Sequence, residues 1–384
     1  MKLTKLLRKS KEDSHIDYLL LFTTFILLGI GLTVLFSASA AFAYVNRGDL
    51  YFYLKRQLVW LAIGIISLWL AAKFNYRKYR VLYRPFLFLT FLFLCLVFVP
   101  GIGEASRGVY RSIGVGFISF TPSEIAKLGV VIYLSFSLVK KKDKMESYIN
   151  GSLPYFIILG IMSILVVMEP DLGSALIIAV IAFILLYAGG ARISHLLYTI
   201  FLASVPLYFS IFEVGYRKSR IMSFLNPEQD PLGTGFHSIH LKSSLGSGGL
   251  WGLGLGQGKE KLFYVPSPHT DSIFAVIGEE LGFIGTFLIV ALFFFIAYRG
   301  LRIAQKASDD LGKLLALGLT SLICVQAIVN MGVATVLLPT TGTTLPFISY
   351  GGSSLLVSLV AIGILLNISK NGVMVYSEDK KHKR

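Results

Sequence analysis

Apolar runs long enough to cross a bilayer, about 20 residues each, recur along almost the whole chain between short polar loops. Ten can be placed, at 18–43, 57–73, 85–100, 122–139, 153–168, 172–189, 194–213, 272–298, 314–338 and 346–368. The pattern predicts an all-α polytopic membrane protein with about ten transmembrane helices and one long loop between helices 7 and 8. The first run follows a charged stretch, Met1 to Asp17. It is too long for a signal-peptide core and has no small-residue cleavage site in the right place, so it is expected to persist as a helix. No internal repeat, low-complexity tract or soluble-domain linker is visible, which weighs against an inverted-repeat transporter. The chain reads as one membrane domain, 1–384, with tails at 1–17 and 369–384 and a loop at 214–271.

Charge orients this pattern. Of 36 Lys and Arg residues, 24 fall in segments 1–17, 73–84, 140–144, 190–193, 299–313 and 369–384. In a ten-pass chain all six lie on one side, and the positive-inside rule makes that side cytoplasmic, both termini included. The net charge of +15 therefore reflects topology and attraction to anionic lipid, and argues against nucleic acid as a partner. Composition agrees, with 55% hydrophobic and 15% charged residues against the roughly 25% charged of soluble domains. Cys95 and Cys324 both sit inside apolar runs and read as small buried side chains, not as a disulfide or metal pair.

Six further basic residues (Arg217, Lys218, Arg220, Lys242, Lys259 and Lys261) crowd into the external 214–271 loop. Topology gives no reason for them there, whereas an anionic ligand does. The glycine run from Gly246 to Gly258 lacks the spacing of a phosphate-binding loop and follows no soluble strand, so it reads as backbone turns near the membrane surface. His237 and His240, spaced i,i+3, raise the idea of a metal site with His269. They have no fixed ligand spacing, and surface hydrogen bonding is the simpler reading. The loop ends in Pro266-Ser267-Pro268-His269-Thr270-Asp271 and then enters an apolar helix. A carboxylate at a helix N-terminus is favoured in its charged form. Asp271 thus reads either as a helix cap or as a proton acceptor for a substrate delivered at the bilayer surface.

Ionisable residues within spans are costly and each poses a functional question. Glu124 and Lys127 share one helix face and are expected to neutralise each other. Glu169 and Asp171 flank Pro170 at a very short external turn. Glu279 and Glu280 lie two turns below Asp271, and one of them should face the bundle interior. These charges gather toward the outer half of the membrane, and no chain of acids crosses it as a proton relay would require.

Four blocks resemble the SEDS proteins (shape, elongation, division and sporulation), typified by FtsW and RodA. They are Pro122-Ser123-Glu124-Ile125-Ala126-Lys127, Glu169-Pro170-Asp171-Leu172-Gly173, the loop through His269-Thr270-Asp271 to Glu279-Glu280-Leu281-Gly282, and Pro339 through Pro346-Phe347-Ile348-Ser349-Tyr350-Gly351-Gly352-Ser353-Ser354. The stretch Gly254 to Leu262 is more similar to the FtsW branch than to RodA. The chain departs from the family pattern at Ser112, Thr121, His237, His240 and Ser267, positions on the rim of the implied site.

The resemblance implies a peptidoglycan glycosyltransferase of the bacterial cytoplasmic membrane. It would polymerise lipid II, an undecaprenyl-diphosphate-linked disaccharide peptide, into β-1,4 glycan with inversion at the anomeric carbon. Such a reaction asks for a base at the acceptor hydroxyl and positive charge at the departing diphosphate. Asp271 is the candidate base, and it needs no raised pKa for that role. Arg111, Glu124, Lys127, Arg217, Arg220, Lys261, His269 and Ser349 are candidate substrate contacts, and apolar grooves between helices would hold the lipid tails. The resemblance also implies a class B penicillin-binding protein as transpeptidase partner, alongside other division or elongation proteins. A divalent cation such as Mg or Mn at the diphosphate is compatible, although no dedicated cage is visible. A lipid II flippase and a non-catalytic scaffold are the alternatives. A flippase would distribute polar groups to both leaflets, and a scaffold has no use for an acid at a helix mouth.

Overall fold

The computed structural model describes residues 16–371 apart from 101–102, 107–108, 116–117, 214 and 263. Its helices are α1 Tyr18–Arg47, α2 Phe52–Lys73, α3 Tyr79–Leu96, α4 Pro122–Lys140, α5 Leu153–Met168, α6 Leu172–Ala188, α7 Ile193–Phe212, α8 Gly215–Leu225, α9 Phe236–Gly248, α10 Ile273–Lys306, α11 Asp310–Ala334 and α12 Gly352–Asn371. Each of the ten expected runs falls on one of these helices. Among the described residues, eight helices are long and apolar enough to cross a membrane, and Leu172–Ala188 and Ile193–Pro206 are shorter apolar helices. The shortfall has local causes: α6 has 17 residues, and Pro206 interrupts the apolar part of α7.

Two features were absent from the hydrophobic pattern. Residues β1 Gly103–Ser106, β2 Val109–Val115 and β3 Ile118–Phe120 form an antiparallel sheet in the order β1-β2-β3. β-branched residues at 109, 113, 115 and 118 favour strands, but the segment is too short and too polar to register beside the long apolar runs. The 214–271 loop also carries helices α8 and α9, with α9 packed on α10.

Helix α4 lies at the centre of the bundle. Pro122 at its first turn follows the extended Thr121, a start that proline pre-organises because its missing N–H would be unpaired there anyway. In its most apolar stretch 83% of α4 is buried, against 11% for the span that contains α3, so α4 is enclosed by protein while α3 faces outward. It packs on α3, α6 and α11; α12 lies along α2, and α10 packs on α1, α9 and α11.

Ion pairs tie one end of this bundle together. Arg77 bonds Asp309 at 3.0 Å, Lys142 bonds Asp310 at 2.9 Å, Arg192 approaches Glu146 at 3.4 Å and Arg299 bonds Asp17 at 2.7 Å. Every partner belongs to, or borders, a segment that the charge bias assigns to the cytoplasmic side. The tails at 1–15 and 372–384 lie outside the described residues.

Helix α10 is two helices spliced at Gly282, whose φ of 65° and ψ of −163° belong to a region open essentially to glycine alone. In a continuous helix the N–H groups of Phe283 and Ile284 would bond the carbonyls of Glu279 and Glu280. Here Phe283 and Ile284 donate to the carbonyls of Gly249 and Leu250 at 2.9 and 3.2 Å, while Leu253 and Gly254 donate to those of Glu279 and Glu280 at 2.9 Å each. The glycine run thus replaces the missing helical bonds one for one, which lets the break persist without unpaired backbone groups.

Candidate active site

A cleft of about 300 Å³ opens between α8, α9, the 266–271 turn and the 340–341 segment. Asp271, Arg220, His237, Ser267, Thr340 and Thr341 are among its lining residues, and Asp271 is its sole carboxylate. Ser267 holds a left-handed φ of 51° at the rim, so a strained residue sits beside the acid it helps frame.

Three contacts hold the backbone around Asp271. Asn330 of α11 donates to the Asp271 carbonyl at 2.9 Å and to the Thr343 carbonyl at 2.7 Å. The Ser349 hydroxyl donates to the Thr270 carbonyl at 2.5 Å while accepting from the Leu345 amide at 2.8 Å. The Tyr350 amide donates to the His269 carbonyl at 2.8 Å. The 340–351 loop and α11 therefore grip the acid from behind. Phe347 within that loop has a φ of 67° and lays its carbonyl 2.5 Å from where a Cβ on Gly31 of α1 would stand.

Asp271 does not cap α10. The cap position belongs to Ser272, which makes no side-chain cap bond, while Asp271 Oδ1 accepts from the Thr270 hydroxyl at 2.8 Å. Asp271 keeps part of its surface in the cleft, yet the surrounding protein strips enough water from the carboxylate to push its pKa above the ordinary value. His237, Thr270 and Arg220 oppose that rise without cancelling it. Desolvation is the largest influence on this acid and works against the charged form that a helix N-terminus favours.

The other predicted residues divide between cleft and scaffold. Arg220 lines the cleft and donates to the Thr340 carbonyl at 3.0 Å, and Arg217 donates to the Val167 carbonyl at 2.7 Å. Arg111 spans the 169–171 turn, donating to the carbonyls of Glu169 and Pro170 at 3.2 and 2.9 Å, with Asp171 3.5 Å away. Lys127 is fully buried, bonding Glu124 at 2.8 Å and Gln326 at 2.7 Å. Gln326 in turn donates to Thr344 and Ser354. Lys127 and Glu124 thus brace the inner wall of the bundle and do not line the cleft. His269 is buried in an aromatic cage, with ring centroids 4.4 Å from Tyr53, 5.3 Å from Phe42 and 6.0 Å from Tyr350. Ser349 is the backbone clamp described above.

Lys261 departs most from expectation. Its ammonium is buried against Glu280 and Ser37, tying the 214–271 loop to α10 and α1. Glu280 and Glu279 both face inward, where one alone was expected. The second accepts the amides of Lys259 and Glu260 at 2.6 and 3.0 Å. The Glu169 carboxyl is fully buried with both oxygens unpartnered, and burial together with nearby Asp171 pushes its pKa up to about 8.

Asn330, Gln326 and Gln57 are site or scaffold residues that reasoning from the sequence passed over, while His237, named there as a metal candidate and a rim position, lines the cleft itself. Gln57 donates to the Ser349 carbonyl at 3.2 Å. The signal was present for the amides, since Gln326 and Asn330 stand four residues apart inside an apolar run, where a polar side chain requires a partner. The three histidines do not converge on a metal. His240 pairs with Glu260 at 2.7 Å, and among the described residues no group of three His, Cys, Asp or Glu side chains has ligand geometry. One carboxylate and one imidazole at the cleft do not fit a resident metal held by protein alone.

Comparison with known proteins places the chain among relatives of the same size. The model of the FtsW, RodA and SpoVE cell cycle protein family matches residues 18–373. A protein of Trichlorobacter lovleyi named probable peptidoglycan glycosyltransferase FtsW is 42% identical over 365 residues, 95% of this chain and 96% of that one. Stage V sporulation protein E of Bacillus subtilis is 40% identical over 92% of this chain and 97% of its own. A solved chain from a study of polymerization and crosslinking by a peptidoglycan synthase complex superposes with a TM-score of 0.75 at 28% identity, covering 93% of this chain and 98% of that one.

Proposed function

Because this chain belongs to the FtsW, RodA and SpoVE family of cell cycle proteins, we propose that it is a peptidoglycan glycosyltransferase that polymerises lipid II with Asp271 as general base. The observation that carries the mechanism is the placement of one desolvated carboxylate, Asp271, on a cleft that also presents Arg220. The acceptor sugar's 4-hydroxyl gives its proton to the Asp271 carboxylate while its oxygen bonds the donor's anomeric carbon. The bond from that carbon to the diphosphate breaks, and the electron pair leaves on the phosphate oxygen. Arg220 is positioned to oppose that developing charge. A carboxylate whose pKa is raised by desolvation is a stronger base than an ordinary one.

The cleft faces the outside of the cytoplasmic membrane in this reading, opposite the end closed by the Arg77, Lys142, Arg192 and Arg299 ion pairs. An apolar groove of about 390 Å³, lined in part by Leu245, Phe274, Phe283 and Phe287, offers a seat for a lipid tail. A class B penicillin-binding protein is the expected crosslinking partner, acting with other division or elongation proteins. The site builds no metal cage, so no step passes through a resident ion, and a divalent cation that accompanies the diphosphate would be held mainly by the substrate.

The test is glycan formation from lipid II by the purified protein, with and without the cognate transpeptidase. Transport of lipid II across vesicles with no polymer under either condition would favour the flippase instead. Sidedness is checked separately by cysteines at Ser247 and Asp143, which should react oppositely with an impermeant thiol reagent in intact cells.

A further inference from the structure

Asp271 shares its cleft with a second titratable side chain. His237 on α9 lines the same wall, and its Nε2 lies 3.4 Å from the Ser272 hydroxyl. That hydroxyl already donates to the Pro266 carbonyl at 3.0 Å, so toward the ring it can only accept. The contact therefore assigns the imidazole proton to Nε2 and leaves Nδ1 as the proton-accepting nitrogen. The charged groups that act on His237 are Asp271, from the turn before α10, and Arg220, from α8. The same His237 and Arg220 are the charged groups that act on Asp271.

Every glycosidic bond made by the proposed reaction delivers one proton to Asp271. An acid desolvated by its surroundings does not shed that proton easily, and until it does the base is unavailable for the next addition. Resting on the general-base reading, we infer that His237 receives the proton from Asp271 after each transfer and releases it to water at the mouth of the cleft. In that step, carried by water in the cleft that both residues line, the Asp271 O–H bond breaks and an Nδ1–H bond forms, giving an imidazolium and a regenerated carboxylate. The imidazolium then loses a proton to solvent and returns to its starting tautomer. No other reactant is consumed.

The environment suits this exchange. Desolvation raises the proton affinity of the Asp271 carboxylate and lowers that of the His237 imidazole, which moves the two toward each other from their ordinary values. Once transferred, the new positive charge sits near the new negative one and steadies it, although Arg220 opposes the imidazolium and hastens its release. His237 thus acts through Asp271, as a positioning and resetting residue.

The experiment compares wild-type protein with His237→Gln and His237→Ala, purified with the transpeptidase partner, across pH at saturating lipid II. Glutamine keeps a hydrogen bond but does not titrate. The expected result is a fall in kcat of about 10-fold or more for both variants, KM changed much less, and an acid limb that steepens less than in the wild type. Added imidazole should restore rate to His237→Ala. Wild-type kcat and an unaltered pH profile in His237→Gln would overturn the inference while leaving the general-base reading intact. A second readout needs no activity. In protein with labelled histidine, Asp271→Asn should lower the His237 pKa by about one unit or more, because it removes an opposite charge. An unchanged value would show that the two groups are uncoupled and overturn the relay. Full activity in Asp271→Asn would sink the general-base reading instead.

Discussion

The side-chain amide of Asn330 fastens the backbone of Asp271, bonding its carbonyl at 2.9 Å and the Thr343 carbonyl at 2.7 Å. One residue of α11 therefore sets the position of the acid relative to the loop behind it. Asn330→Leu fills the same volume without those bonds, so Asp271 should drift within the cleft. Misplacement on the scale of 1 Å costs up to ~10²-fold in rate. The expected outcome is a large drop in kcat with lipid II binding retained, measured by polymerisation kinetics and a separate binding titration.

Lys127, with no exposure to solvent, pairs with Glu124 of its own helix α4 and joins that helix to α11 through Gln326. Removing the ammonium alone strands a buried carboxylate, a loss of about 3–5 kcal/mol by comparison with other broken buried pairs. Lys127→Met should therefore lower the melting temperature in detergent more than Lys127→Met combined with Glu124→Gln. Additive losses in a double-mutant cycle would show the pair uncoupled.

Gly282 sits in a backbone region that side chains avoid, and an added Cβ would collide with the Gly252 amide and the Leu250 carbonyl. Gly282→Ala should thus pull the glycine run out of the α10 splice. It is expected to cost about 1–3 kcal/mol from backbone strain alone, plus whatever loop contacts are lost with the spliced bonds. Thermal unfolding, with protease sensitivity at 249–256 as the local readout, checks this.

Glu169 predicts a pH effect on stability. Its folded pKa of about 8 lies above the ordinary 4.5, so the folded state holds the proton more tightly than the unfolded state. The contribution is complete below about 4.5 and is lost as pH rises through about 8. Melting temperature should decline across that window in the wild type, and Glu169→Gln should flatten the decline.

How much of this was legible beforehand depends on the range of the interaction. The spans were readable because about twenty apolar residues in a row carry their own signal. The Asp271 helix mouth stood out as a lone acid between a glycine-rich loop and an apolar run. What remained hidden was pairing between distant segments. Nothing near Lys261 announces Glu280, and nothing near Gly249 announces the break at Gly282. Long-range contacts of this kind turned a presumed diphosphate ligand into a buried strut. Burial also acts on Asp271, because desolvation visible only in space raises its pKa against the helix end visible in sequence.

The central claim is that Asp271 takes the acceptor's proton, and Asp271→Asn tests it most directly. Asparagine keeps the volume and the Thr270 contact but does not act as a base. Purified variant protein with its transpeptidase partner should fold, bind lipid II nearly as well as the wild type, and polymerise it ~10²- to 10⁴-fold more slowly. Glycan elongation by Asp271→Asn at close to the wild-type rate, in a preparation free of other polymerases, would contradict the account.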